Sequence, residues 1–332
     1  MQIRTLLEER IRARGLSRAK LSKQTRTSRG VIGDLCGERW QRIGRDTIAR
    51  ICEELDITSL DDLFQLYDTN IFFPIRLHRE VTIHFGSEPV TRDGNGPARG
   101  GVALSRQTTS SWDLRALFTL THHLNKVDPG IRFKFVEHPR QDRPLREQVQ
   151  RLFKEGDHIV IGSPKSNQFS EEVVCHAYNV APYSPDQLHA FEFAFRWGSR
   201  HAVSSSFGSP AENGDVGIVS VATGELVARR TLVTQGQGED CALIIVERVF
   251  RPVARRAHGR NDENIIIVIL GYSGIGTVAG AHVAISKEFA RALYPERTGK
   301  PLMKVVSATY ARPPGPSSDD NREVTEARLL EN

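Results

Sequence analysis

Two stretches of this 332-residue chain combine residue types that hold phosphates. One is Gly162, Ser163, Pro164, Lys165, Ser166 and Asn167; the other is Gly271, Ser273, Gly274, Gly276 and Thr277 within "LGYSGIGTVAGA". Each follows an apolar run of strand type and leads into residues suited to a helix start. Free N–H groups at such a start attract an anion. Lys165 and the hydroxyls of Ser163, Ser166, Ser273 and Thr277 suit a phosphate or a ribose. The same residues also suit a bare turn, with glycine for the sharp bend and serine for the cap. Both readings stay open at this level.

Other chemistry is thin. Glu171 and Glu172 open the helix after the first turn and have the groups for acid, base or nucleophile work beside a bound sugar. They are also the acids expected in a helix first turn. There is no G-x-S-x-G, no H-E-x-x-H and no Walker A lysine after glycine. Four cysteines stand too far apart in sequence for a CxxC motif and read as reduced, part-buried apolar residues. Of eleven histidines only His122 and His123 are adjacent, and neighbours on a helix point to different faces. No catalytic set, metal or cofactor emerges.

"GIGTVA" at Gly274–Ala279 satisfies the G-x-G-x-x-A pattern of dinucleotide loops. That pattern also needs an acid about twenty residues on, at the end of the next strand, to hold the ribose. The next strand here ends in "SATYAR". The turn is also similar to the GGxGT turn of the lysine-decarboxylase-like (LOG) nucleotide-binding proteins at Gly274, Gly276 and Thr277. The hydrolases of that group carry a Glu three residues after the Thr, where this chain has Gly280. The resemblance implies nucleotide binding without hydrolysis.

Alternating elements must position these turns. "EVTIHFGS", "IRFKFVEHP", "DHIVIGSP" and "ENIIIVILG" read as strands, interleaved with amphipathic helices at 108–127, 144–156 and 169–180. The pattern predicts an α/β domain over 80–312 with a mostly parallel, helix-flanked, Rossmann-like sheet. In such a sheet both turns lie on the carboxyl edge, where ligands bind. "GDVGIVSVATGELVARRTLVT" reads as a hairpin. Residues 67–79 read as an ordered connector. The tail 313–332, rich in Pro, Ser and charge, reads as flexible.

The first sixty-odd residues read as five short helices, the first over "IRTLLEERIRAR" and the fifth over "SLDDLFQLY". Residues 1–50 carry 13 Lys+Arg and 5 Asp+Glu, a surplus of +8, which leaves −3 elsewhere in a net +5. That asymmetry points to a polyanion partner for this segment alone. "GLSRAKLSKQTRTSRGVIGDLCGERWQRIGRDTIARICEELDI" resembles the Cro/C1 (Xre) type of helix-turn-helix regulator. The match lies in Leu16-Ser17, Ala19, Leu21, Thr27-Ser28, Val31, Ile32, Leu35, Thr47, Ile48 and Leu55. It implies a DNA-binding domain over 1–66. There Ser17, Thr27, Ser28, Arg29, Gly30 and Gly33 face DNA, Arg29 reads guanine, and Arg39, Trp40 and Arg42 grip the backbone. Trp40 is equally suited to a core. Two departures stand out: Arg26 where the family usually has Gly, and Gly30 and Gly33 inside the recognition helix.

The expected function is sequence-specific transcriptional regulation by a homodimer on a double-stranded DNA operator. The α/β domain would sense a small nucleotide-like ligand. The rival is a nucleotide-processing enzyme or defence-type effector with an autoregulatory helix-turn-helix. An adaptor whose helical domain binds protein is a third. No apolar run approaches the roughly 20 residues of a membrane span, and the expected location is the cytoplasm.

Overall fold

A computed structural model describes residues 2–37, 42–58, 63–67, 70–89, 107–139, 145–165, 167–198, 205–211, 214–231, 237–250, 263–289, 292–294, 300–312 and 322–330. The described residues up to 67 belong to one compact unit and those from 70 to 250 and 263 to 330 to another.

The first unit holds four helices: α1 (Leu7–Ala13), α2 (Arg18–Gln24), α3 (Arg29–Cys36) and α4 (Arg45–Glu54). Leu7, Ile11, Leu21, Ile32, Leu35, Ile51, Leu55 and Leu63 form its core. Ser17 caps α2 by accepting from Lys20 N, and Ser28 caps α3 by accepting from Val31 N, each at 3.2 Å. The expected first and fifth helices need correction. Gln2–Thr5 is strand β1, paired antiparallel with β2 (Phe64–Tyr67) from Gln2↔Tyr67 to Thr5↔Phe64. Two short β-prone segments gain a ladder of hydrogen bonds that a frayed helix turn lacks. Thr5 then accepts from Leu7 N and starts α1.

Arg26 occupies the turn between α2 and α3 at φ +52°. A left-handed conformation costs a residue with a Cβ about 1 kcal/mol. Arg26→Gly is therefore expected to stabilise this unit by up to about 1 kcal/mol, less the entropy glycine loses on folding. A thermal melt of the two proteins checks it; a lower midpoint for the variant would contradict it.

The second unit is built on an eight-stranded sheet. Its strands are β3 (Glu80–Pro89), β4 (Gln107–Thr108), β5 (Arg132–Pro139), β6 (His158–Ile161), β11 (Gln237–Phe250), β12 (Glu263–Gly271), β13 (Leu302–Ala311) and β14 (Glu323–Leu329). The centre of the sheet is parallel, in the order β5-β3-β6-β12. Beyond β12 it continues antiparallel through β11, β13 and β14. The strand β14 corrects the expectation of a flexible tail. Its alternating sequence pairs with β13 and packs Val324, Ala327 and Leu329 on the core. Within the expected connector, Phe73–His78 forms α5, with Ile75 buried.

β12 is buried on both faces, as a central strand between helix layers must be. Ile265, Ile267 and Ile269 join the core under α6 (Ser111–Val127) and α9 (Gly274–Ile285). Ile266, Val268 and Leu270 join the opposite core, under α7 (Arg146–Leu152) and α8 (Gln168–Ala177). That second core also takes in a four-stranded sheet, ordered β10 (Leu226–Arg229), β9 (Gly217–Ser220), β7 (Phe193–Trp197) and β8 (Gly208–Pro210). The expected hairpin is its β9–β10 pair.

Candidate functional site

In the first unit, α3 presents its N-terminal end outward. Arg29 and Gly30 are exposed, Gly33 is half-buried and Arg42 is exposed. The hydroxyls of Ser17 and Ser28 are occupied by their caps, so what these positions offer outward is the helix N-terminus. Thr27 needs correction as a DNA contact. It is buried, and its hydroxyl donates to Thr25 O at 3.4 Å, inside the turn. Arg39 and Trp40 lie outside the described residues. Lys20, Lys23 and Arg26 are exposed on α2 and the turn. A short helix thus projects beside four basic side chains, counting Arg29, which is the charge a phosphate backbone requires.

The comparison with known families bears on this geometry. Residues 7–69 match the family model of the Cro/C1-type HTH DNA-binding domain. The N-terminal unit is a Cro/C1-type helix-turn-helix. No curated protein and no solved structure matches the chain.

In the second unit the two glycine turns lie side by side. β6 and β12 are parallel neighbours from Ile266↔His158 to Ile269↔Ile161, and Gly162 N donates to Ile269 O at 3.1 Å. The helices that follow them, α8 and α9, go to opposite faces of the sheet. The carboxyl edge where such helices diverge is the usual ligand position in open α/β sheets.

Most of the glycines and polar groups in these turns serve packing. Gly162 has φ +107°, open only to glycine. A Cβ on Gly271 would lie 2.2 Å from Ser273 O and from Thr277 N; on Gly274 it would lie 2.3 Å from Trp112 Cβ; on Gly276 it would lie 2.2 Å from Cys241 O. Asn167 is buried, caps α8 through Phe169 N and donates to Ile161 O. Thr277 is buried and donates to Ser273 O at 3.3 Å. Ser163 is buried, and Ser166 lies outside the described residues. As ligand contacts, Asn167 and Thr277 therefore need correction. The N-terminus of α9 has its own anion: Asp240 at the start of β11 accepts from Ser273 Oγ and, at 2.8 Å, from Cys241 N. Burial pushes the Asp240 carboxyl up, against the pull of these bonds.

Lys165 is the group these turns leave for outside chemistry. Its ammonium lies 4.0 Å from the centre of the Trp197 ring and 4.4 Å from that of Tyr272. Both rings are fully buried, 4.9 Å apart, and Tyr272 OH accepts from Gly198 N at 3.1 Å. The Arg230 guanidinium stands 5.4 Å from the same Tyr272 ring. Burial first, and then the Arg230 charge, bring the Lys165 amine down to about 8.

The two glutamates after the first turn are bound into the core. Glu171 accepts from Ser205 Oγ at 2.6 Å, Ser206 N at 2.7 Å and Tyr183 N at 3.2 Å. Glu172 accepts from Leu145 N through both oxygens. Both are structural ligands of the loops around α8.

Sequence reading missed Trp197, Arg230 and Asp240, which come from β7, the residue after β10, and β11. It also missed a buried row of imidazoles. His84 Nδ1 meets His138 Nε2 at 2.8 Å, and His84 Nε2 meets His158 Nδ1 at 3.0 Å. His158 Nε2 meets Glu155 O, which can only accept. His158 therefore carries its proton on Nε2, and His84 and His138 each donate from Nε2 down the row. All three are held neutral. Burial brings His84 to about 2 and His138 to about 4, and lowers His158. Five of the six ring nitrogens are engaged, four of them with each other, and no cluster among the described residues could hold a metal ion. Phe169 stacks on His138 at 3.8 Å, which anchors the start of α8.

Proposed function

We propose that the protein is a sequence-specific transcriptional regulator that binds operator DNA as a homodimer, with the α/β unit sensing a small nucleotide-like ligand. The observation that carries the DNA half is the match of residues 7–69 to a Cro/C1-type domain, together with the exposed Arg29 at the start of α3. In this docking mode the N-terminal end of α3 enters the major groove, and two heads read half-sites about one turn apart. The sensor half is supported by Lys165, which lies over Trp197 and Tyr272 at the carboxyl edge of the central strands. A ligand there would act by biasing the placement of the two heads, a coupling between sites.

An operator selected from random duplexes provides the test. Arg29→Ala is expected to lose about 1–3 kcal/mol of affinity and to relax preference at one base pair. Arg42→Ala is expected to weaken all sequences alike and to make the salt slope shallower by about one unit. Equal binding and unchanged sequence preference in Arg29→Ala would remove α3 as the reading helix.

A further inference from the structure

We infer that Lys165, Arg230, Trp197 and Tyr272 form the binding site of a nucleoside phosphate, with Lys165 as a cover that the ligand's anion draws off the aromatic pair. This rests on the sensor reading above and gives it a place and a chemistry.

The first argument is charge. Lys165 and Arg230 both stand over the Tyr272 ring. Two cations sharing one ring repel each other, and a π-face is a weak counter-ion for both. The acid that acts on both is Asp240. Its oxygens are already engaged by Cys241 N and Ser273 Oγ, and it lies fully buried. Arg230 Nε is buried without a hydrogen-bond partner. An unmet buried donor on a charged group is costly and calls for an acceptor. A phosphate between the two side chains would satisfy both.

The second argument is shape. Trp197 and Tyr272 are large, adjacent and buried at the sheet edge where ligands bind, and Lys165, itself only half-buried, lies across both rings. Movement of Lys165 and Arg230, both long and flexible, would open the ring faces they cover. A planar base then stacks where the ammonium lay, and stacking on aromatic rings accepts any base. Gly198 N and Tyr272 OH are already bonded to each other, so the ring plane stays fixed while Lys165 moves.

Calorimetry on the full chain, with the four nucleoside 5′-monophosphates, the matching nucleosides and inorganic phosphate, tests this. At least one nucleotide is expected to bind about tenfold or more tighter than its nucleoside and than phosphate. Lys165→Ala and Arg230→Ala are each expected to cost about tenfold, with Lys165→Arg recovering part of the loss. Affinity is expected to fall as pH rises past about 8 in the wild type and to stay level in Lys165→Arg. No nucleotide binding, or binding indifferent to both variants, overturns the site. Phosphate binding as tightly as the nucleotides overturns the aromatic half of it. Nucleotide binding lost in Lys165→Ala, without any change in operator affinity on ligand addition, upholds the site and removes the sensor reading.

Discussion

Gly276→Ala is expected to destabilise the α/β unit by about 3 kcal/mol or more, at the upper end of overpacking changes. The added Cβ would stand 2.2 Å from Cys241 O and 2.8 Å from Asp240 Oδ1. Neither atom can turn aside. Cys241 O accepts from Tyr272 N at 2.8 Å, and Asp240 is fixed by Ser273 and the backbone. Helix α9 would have to lift off β11, and with it the cap that Asp240 gives its N-terminus. For a unit of this size the loss corresponds to a midpoint lower by about 10 °C. Gly33→Ala makes the contrast. A Cβ there meets nothing within 4 Å, so the change removes only a helix-propensity cost of up to about 1 kcal/mol and raises stability. Thermal melts of both variants check the pair. A Gly276→Ala midpoint within about 2 °C of wild type would mean that α9 is not in contact with β11.

These glycines show what the sequence did and did not reveal. The strand-turn-helix at Leu270–Ala281 was legible because a doubly buried strand, a glycine cluster and small residues are all local signals. Its purpose was not. The turn is closed by Asp240, thirty-three residues before Ser273, brought there by the antiparallel pairing of β11 with β12. No spacing rule links positions joined only by a sheet ladder. The same reason hid Trp197 and Arg230, which reach Lys165 and Tyr272 from the smaller sheet and the residue after it, and the imidazole row, whose members come from three strands. The helix-turn-helix was legible because its caps and core, Ser17, Ser28, Leu21, Ile32 and Leu35, recur within one short window. Its edges were misread because β1 and β2 pair across about sixty residues.

Acid stability of the α/β unit is set by buried histidines opposed to buried carboxyls, and Glu247→Gln is expected to isolate one of the carboxyls. His84 and His138 are neutral in the folded protein, with values near 2 and 4. In the unfolded chain they take up protons near pH 6.5. Their contribution is whole above 6.5 and declines as pH falls. Between pH 7 and 5 the pair removes about 4 kcal/mol of stability. Glu247 acts the other way. Burial raises it to about 7, and its Oε2 has no hydrogen-bond partner. A raised carboxyl stabilises the fold at low pH and loses that contribution as pH rises through its folded value. Over the same interval, acidification returns up to about 2 kcal/mol, less what solvent screens at this half-buried side chain. Glu172 and Asp240, also raised, push in the same direction as Glu247 and are common to both proteins. His158, His123, His176 and His282, all lowered by burial, push the other way and are also common to both proteins. From pH 7 to 5, Glu247→Gln is therefore expected to lose up to about 2 kcal/mol more than wild type. Urea unfolding at the two pH values measures the difference directly. Parallel losses in the two proteins would mean that Glu247 is already ionised in the fold. A flat profile in Glu247→Gln would mean that the imidazole row accepts protons without unfolding. That second result would conflict with the row's geometry, because a proton added to His158 Nδ1 would face the one His84 already donates.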